Sequence, residues 1–252
     1  MTKQCIMRQL ITILAAAMLL TNAMYGQTGP VGHFHKVIVS PYIQVTFVQG
    51  DAESVTIDRC LADSNKLHVE VHGGTLRLYL DGAKDLPYNQ QDYGRNGNQQ
   101  NHQLYPEHAV IATVVYRTLD GLSLRGEETF LCPSRLAAKH FWLRLYGEST
   151  VVFTEVHIDK MHTAMYGESS LDIKAGAVNQ QYYTCYGEGK INTTAISGQE
   201  AKVTSFGEGE FRVNVSDLIK ITSFGDAKVC YRGNPEIVKG IHFGGVDVQK
   251  LD

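Results

Sequence analysis

Tyr146-Gly147-Glu148, Tyr166-Gly167-Glu168, Tyr186-Gly187-Glu188 and Phe206-Gly207-Glu208 recur every 20 residues, and this recurrence decides the fold. Phe224-Gly225-Asp226 follows after 18 residues and Phe243-Gly244-Gly245 after 19. Upstream, Arg125-Gly126-Glu127 stands 21 residues before Gly147 as a degenerate first copy. A fixed period of this length marks a repeat architecture. One unit cannot bury its own apolar face and must stack on its neighbours.

Aligning the copies on the glycine gives the local structure. Four positions later stand Phe130, Val151, Leu171, Ile191, Phe211, Val229 and Val248, all apolar. Six positions later stand Cys132, Phe153, Ile173, Thr193, Val213 and Tyr231, mostly apolar, with mixed residues between the two columns. Apolar alternation at period two is a strand with one face inward. Positions −4 and −2 repeat the pattern with Leu143/Leu145, Thr163/Met165, Tyr183/Cys185 and Val203/Ser205. Each unit therefore reads as strand, glycine turn, strand and return loop. Stacked units predict an all-β chain, a parallel β-helix or solenoid of ~20-residue coils, with strands ~4.8 Å apart. A turn that needs positive φ in every coil selects glycine each time. No proline lies between Pro133 and Pro235, as internal strands require. Leucine-rich repeats share the period but need a recurrent Leu-x-x-Leu-x-Leu. Calcium-binding nonapeptide rolls need Gly-Gly-x-Gly-x-Asp. Neither pattern is present.

Stacking predicts ladders of like residues. Tyr146, Tyr166, Tyr186, Phe206, Phe224 and Phe243 form an aromatic row. Packing alone selects such a row, since stacked rings add ~0.5–1.5 kcal/mol per pair beyond burial. A platform for sugar rings is the functional alternative. Glu127, Glu148, Glu168, Glu188, Glu208 and Asp226 form an acidic row. Like charges at strand spacing repel by roughly 1 kcal/mol per neighbour even in water. Such a row discourages edge pairing with other chains; alternatively it meets a basic partner or divalent cations, calcium above all. The candidate binding surface is thus Glu148, Glu168, Glu188, Glu208 and Asp226 with Tyr146, Tyr166 and Tyr186.

The first half is organised differently. Lys3 and Arg8 precede an apolar run from Leu10 to Leu20, and small polar residues follow. This is a secretory signal peptide, with cleavage expected after Gly26 or, second, Ala23. The run is shorter than the ~20 residues of a bilayer span. Residues 27–120 then read as short alternating strands: Val37–Val39, Tyr42–Phe47, Val55–Ile57, Leu67–Val71 and Leu76–Leu80. Gly50-Asp51, Asp63-Ser64-Asn65 and Gly73-Gly74 separate them at hairpin-like spacing. The Asn- and Gln-rich segment 88–103 reads as a loop, and residues 121–252 carry the repeats.

Composition agrees and excludes. The 252 residues are 43% hydrophobic and 19% charged, unlike a disordered chain or a coiled coil. A net charge of −3, or −5 once residues 1–26 are removed, gives no nucleic-acid footprint. No other segment is apolar enough to span a membrane.

Four cysteines remain after processing: Cys60, Cys132, Cys185 and Cys230. Cys185 and Cys230 lie two coils apart in different columns, ~10 Å along the axis. A disulfide needs Cα atoms within ~7 Å, so Cys132, Cys185 and Cys230 are expected not to pair with one another. His33-x-His35 and His68-x-x-x-His72 are the close histidine pairs, and neither has zinc-ligand spacing. No nucleophile elbow, phosphate loop or dinucleotide fingerprint is present.

Phe34-His-Lys-Val-Ile-Val39, Ile43-Gln-Val-Thr-Phe-Val-Gln-Gly-Asp51, Val55-Thr-Ile57 and Gly74-Thr-Leu-Arg-Leu78 resemble the opening of the head GIN-domain family, described as auto-transporter adhesins of Bacteroidetes. Ala227-Lys-Val-Cys-Tyr-Arg-Gly-Asn-Pro235 with Gly244-Gly-Val246 is similar to that family's terminal coil. The resemblance implies a β-helix-like fold, export to the envelope and an adhesin role, and it carries no catalytic residues across. The chain departs from the family's small residues around the repeat glycine by having Tyr or Phe before it and Glu after.

The expected function is a non-enzymatic exported envelope or surface protein. It would lie in the periplasm, at the outer membrane or outside the cell, and bind an envelope or extracellular protein or glycan. Two alternatives stand beside it. One is a carbohydrate-active β-helix enzyme, which would need two carboxylates at defined separation rather than an even row. The other is a small-ligand or lipid-binding module. Open solenoid ends expose unpaired strand edges, which would let copies associate.

Overall fold

The computed structural model describes residues 27–85, 90–93, 99–102 and 104–252. The expected signal peptide lies outside the described residues. The N-terminal strands are β1 (Gln27–Pro30), β2 (Lys36–Val39), β3 (Ile43–Gln49), β4 (Ser54–Cys60), β5 (Leu67–His72) and β6 (Thr75–Leu80). Within the polar segment, β7 (Gln90–Tyr93) and β8 (Gln99–His102) pair antiparallel, where the sequence reads as a loop. The ladder uses backbone groups alone, so Asn and Gln do not forbid it. The rest of that segment lies outside the described residues. β9 (Val110–Tyr116) and β10 (Gly121–Gly126) lead into the coils. These comprise β11 (Thr129–Gly147), β12 (Thr150–Gly167), β13 (Ser170–Ile173), β14 (Gly176–Tyr186), β15 (Lys190–Thr193), β16 (Glu200–Phe206), β17 (Gly209–Asn214), β18 (Leu218–Phe224), β19 (Ala227–Arg232), β20 (Glu236–Phe243) and β21 (Val246–Lys250).

The chain is a β-solenoid of about six turns with about 20 residues per coil. Strands before the glycine stack as one parallel side: β6, β2, β10, β11, β12, β14, β16, β18 and β20. Strands after it stack as a second side, β11, β12, β13, β15, β17, β19 and β21. β11 and β12 are long enough to turn the corner and serve both sides. A shorter third side closes each coil, with Leu136, Val156, Val178, Ile196 and Val215 buried on it. Pro133 falls where the β11–β12 register slips between Cys132 and Arg135, a point where a missing donor is tolerated.

The columns read from sequence fill the interior. Phe130, Val151, Leu171, Ile191, Phe211 and Val229 are buried, as are Cys132, Phe153, Ile173, Thr193 and Val213. The turn glycines 126, 147, 167, 187, 207, 225 and 244 all have φ between +98 and +132. A second constraint sits on top of φ. Each glycine from Gly147 onward rests on the carbonyl oxygen of the glycine one coil back, where a Cβ would lie 2.5–2.7 Å from that oxygen.

The first half departs from the expected hairpins. Only Gly73-Gly74 makes one, joining β5 to β6. β3 does not fold back on β4; it pairs parallel with β9, while β4 pairs antiparallel with β9 and β1. β2 pairs parallel with β6 and β10. The N-terminal strands thus extend the same two sides as the coils. Alternation identified their inward faces but could not supply partners, since parallel partners lie far off in sequence. The antiparallel strands β5 and β1 finish the two sides at this end. The other end finishes on β20 and β21 with an exposed Ile241 and Phe243.

Glu128 pins the N-terminal region to the first coil. It is only 5% exposed. One carboxylate oxygen accepts the Tyr42 N–H at 2.7 Å and the other accepts the Glu127 N–H at 2.9 Å. Tyr42 has φ 68, a left-handed conformation that this hydrogen bond holds in place.

Candidate functional site

The outward residues beside the glycine column form a corner. Along one flank the aromatic row is a continuous stack. Tyr146–Tyr166, Tyr166–Tyr186, Tyr186–Phe206 and Phe206–Phe224 have centroids 4.8, 4.9, 4.8 and 5.1 Å apart, with interplanar angles of 5° or less. Phe224–Phe243 closes it at 5.7 Å and 26°. The ring spacing matches the strand spacing, so the backbone ladder sets the stack. Within the row, ring faces meet ring faces and only edges and Tyr hydroxyls point outward. At one end Arg125 lies over Tyr146, 5.5 Å from the centroid; at the other Phe243 is 67% exposed.

Along the other flank Glu148, Glu168, Glu188, Glu208 and Asp226 are all exposed. Their positions are fixed through the backbone. Glu148, Glu168 and Glu188 donate their N–H groups to the carbonyls of Gly126, Gly147 and Gly167. Asp226 accepts the Gly245 N–H at 2.7 Å, so the last member of the row ties down the final coil. All eight sequence-predicted surface residues therefore lie on this one corner, three on the aromatic flank and five on the acidic flank.

Next to the acidic row runs a column of alternating sign. Lys190, Glu210, Lys228 and Asp247 are register neighbours on successive coils. With Glu188, Glu208 and Asp226 they line a shallow groove of about 760 Å³. Arg212 pairs with Glu210 at 2.8 Å.

A second aromatic stack escaped the sequence reading. Trp142, His162 and Tyr182 stand five residues before successive glycines and share the outward face with the first row. Trp142–His162 centroids are 4.0 Å apart at 11°, and His162–Tyr182 centroids are 4.5 Å apart at 8°. Lys202 lies over Tyr182 at 5.1 Å. Burial lowers the His162 pKa, reinforced by His140 and Lys160, which favours the neutral ring in the stack. The inward face is read at positions −4 and −2, whereas this stack stands at the outward position −5.

The four cysteines at 60, 132, 185 and 230 are free thiols, and the last three are buried. His33 pairs with Glu53 at 2.7 Å, and His68 pairs with Asp81 at 2.7 Å while stacking on Tyr79. Among the described residues no three His, Cys, Asp or Glu side chains converge as a metal site. Among them, too, no helix is long and apolar enough to cross a membrane.

Fold and corner together define a β-solenoid displaying parallel side-chain ladders along one edge. The chain belongs to the family described as "Putative auto-transporter adhesin, head GIN domain", whose sequence profile matches residues 33–235. Solved structures share the fold. An adhesin-named protein from Bacteroides fragilis is 17% identical with a TM-score of 0.73, covering 90% of this chain and 96% of its own. One from Parabacteroides merdae is 16% identical with a TM-score of 0.64, covering 90% and 95%. A protein from Parabacteroides distasonis named as lipid binding is 17% identical with a TM-score of 0.65, covering 90% and 96%. No curated protein matches the sequence.

Proposed function

We propose that the chain is an exported, non-enzymatic binding module of the cell envelope, working as an adhesin-like surface rather than through a catalytic centre. One observation carries this reading: the unbroken corner on which an aromatic row and a carboxylate row run side by side for five coils. The glycine stack beneath prevents the corner from rearranging, so little ordering entropy opposes binding along it. Such a surface fits an extended partner, an envelope or extracellular protein or glycan, that contacts several coils at once. The charge pattern favours a partner with basic groups on the acidic flank. Membership of the adhesin family supports the same reading.

A lipid-binding role, taken from the name of one structural relative, fits less well. The interior is filled by side chains such as Phe130, Phe141, Phe153 and Phe211, each fully buried.

Capture from envelope fractions tests the proposal. Immobilised chain should retain a reproducible partner, and the Glu168→Lys, Glu188→Lys double variant should lose most of it. Equal retention by the variant would overturn the role of the corner. Turnover of polyuronides or other glycans by the pure protein would overturn the non-enzymatic reading.

A further inference from the structure

A second surface feature lies on the same outward face, nearer the end finished by β5 and β1. Successive strands there place Lys36, Gly121, Trp142 and His162 in one row. Trp142 stacks on His162 through one face only. Its strand neighbour on the other side is Gly121, which has no side chain. No strand neighbour therefore covers the second indole face, and Trp142 is 45% exposed.

Gly121 differs from the turn glycines in two respects. It has no positive φ and lies under no glycine carbonyl. The nearest atom to a Cβ there is the Trp142 carbonyl oxygen at 3.3 Å, with the Lys36 Cγ at 3.8 Å. Backbone conformation does not demand glycine at this position. What glycine does is hold open a slot two strand spacings wide, about 9.6 Å, between the Lys36 stem and the indole.

The slot belongs to a cavity of about 520 Å³ lined by Lys36, Thr75, Ser123, Arg125, Trp142 and Arg144 among others. Three of these are cations and two are hydroxyls. Asp85 engages Arg125 at 2.7 Å and also holds Arg77. Among the described residues Lys36 and Arg144 have no carboxylate within ion-pair distance, and the Arg144 guanidinium lies over the Trp142 ring, 5.7 Å from its centroid, at the rim of the slot.

We propose that this slot binds a sugar unit bearing an anionic substituent, a carboxylate or sulfate. The apolar face of the pyranose lies on the free face of Trp142. Its hydroxyls meet Ser123 and Thr75, and Lys36 and Arg144 take the anion. One aromatic wall facing one aliphatic stem suits a pyranose, which has a C–H face and a hydroxyl-bearing face. A planar base would gain more from two aromatic walls. This inference deepens the binding-module reading and rests on it, naming a ligand class and placing it away from the acidic corner.

Trp142 is the single tryptophan of the chain, so its fluorescence reports on the slot directly. The full chain is titrated with trigalacturonate, a heparin disaccharide, maltotriose and AMP. A saturable change is expected for one or both acidic sugars, with at least about tenfold weaker response to maltotriose and AMP. The two acidic arms distinguish carboxylate from sulfate. Gly121→Leu should abolish the change; Lys36→Gln with Arg144→Gln, both exposed, should weaken it about tenfold without unfolding risk. No saturable change with either acidic sugar, an equal response to maltotriose, or a preference for AMP overturns the proposal. So does an unaltered titration in the Lys36, Arg144 variant. If Gly121→Leu still captures the envelope partner, the corner reading stands on its own; if wild type captures nothing, that reading fails separately.

Discussion

Gly167 rests on Gly147: a Cβ on Gly167 would lie 2.5 Å from the Gly147 carbonyl oxygen and 3.3 Å from its Cα. The φ of Gly167 is +114, a region L-residues rarely enter. Gly167→Ala must therefore strain its own backbone and also push two coils apart. Its urea midpoint should fall by the equivalent of about 3 kcal/mol. Gly29→Ala, where a Cβ meets nothing within 4 Å, should change stability by less than about 0.5 kcal/mol. Equal effects at the two sites would show that the glycine stack is not the constraint described.

The aromatic row gives a graded series. Tyr186 stacks on both Tyr166 and Phe206, so Tyr186→Ala removes two ring pairs and should cost about 1–3 kcal/mol. Tyr186→Phe keeps both faces and should be nearly neutral. Phe243→Ala removes one tilted, exposed pair and should cost less than Tyr186→Ala. Denaturant unfolding of the three variants tests the order.

Glu128 makes stability depend on pH. Burial raises its pKa from 4.5 to about 7, against the lowering effect of the Tyr42 and Glu127 N–H donors. A carboxyl raised on folding binds its proton more tightly in the native state. Its contribution is thus fully present below about pH 4.5, is lost as pH climbs towards 7, and is flat above. The loss amounts to at most about 3 kcal/mol. Unfolding midpoints of wild type and Glu128→Gln between pH 4.5 and 8 should diverge in slope across that window, with the variant lacking the decline. Parallel curves would remove Glu128 as the source.

Thiol reactivity should separate the cysteines. Burial pushes the Cys132 thiol up to about 11 and the Cys185 thiol up as well. Cys185 also accepts the Gly189 N–H at 3.1 Å. Native alkylation near pH 8, read by peptide mass spectrometry, should therefore label Cys60, the partly exposed member, before Cys132, Cys185 or Cys230. Unfolding should make all four react. A disulfide-linked peptide containing two of the buried three would overturn the coil register.

The coils were legible because each position is sampled several times. Phe130 alone says little, but Phe130, Val151, Leu171, Ile191 and Phe211 in register say inward. The acidic and aromatic rows were legible for the same reason. Gly121 and Trp142 were not, because the slot exists through one absent side chain in one coil, and repetition does not report a single exception. The pairing of β3 with β9 was hidden for a different reason. Some 60 residues of other structure separate them, and alternation fixes which face is buried without naming the neighbour.

The two ends of the solenoid are unlike, one finished by antiparallel β5 and β1, the other left on β20 and β21. All strands of the finished end come from residues before Gly126. A polypeptide made from its N-terminus therefore completes a ready template before its first full repeat exists. Each later coil can be laid onto a preformed edge as it emerges, with no need to wait for distant sequence. Growth of the structure then has a direction, from β1 and β5 towards β20 and β21.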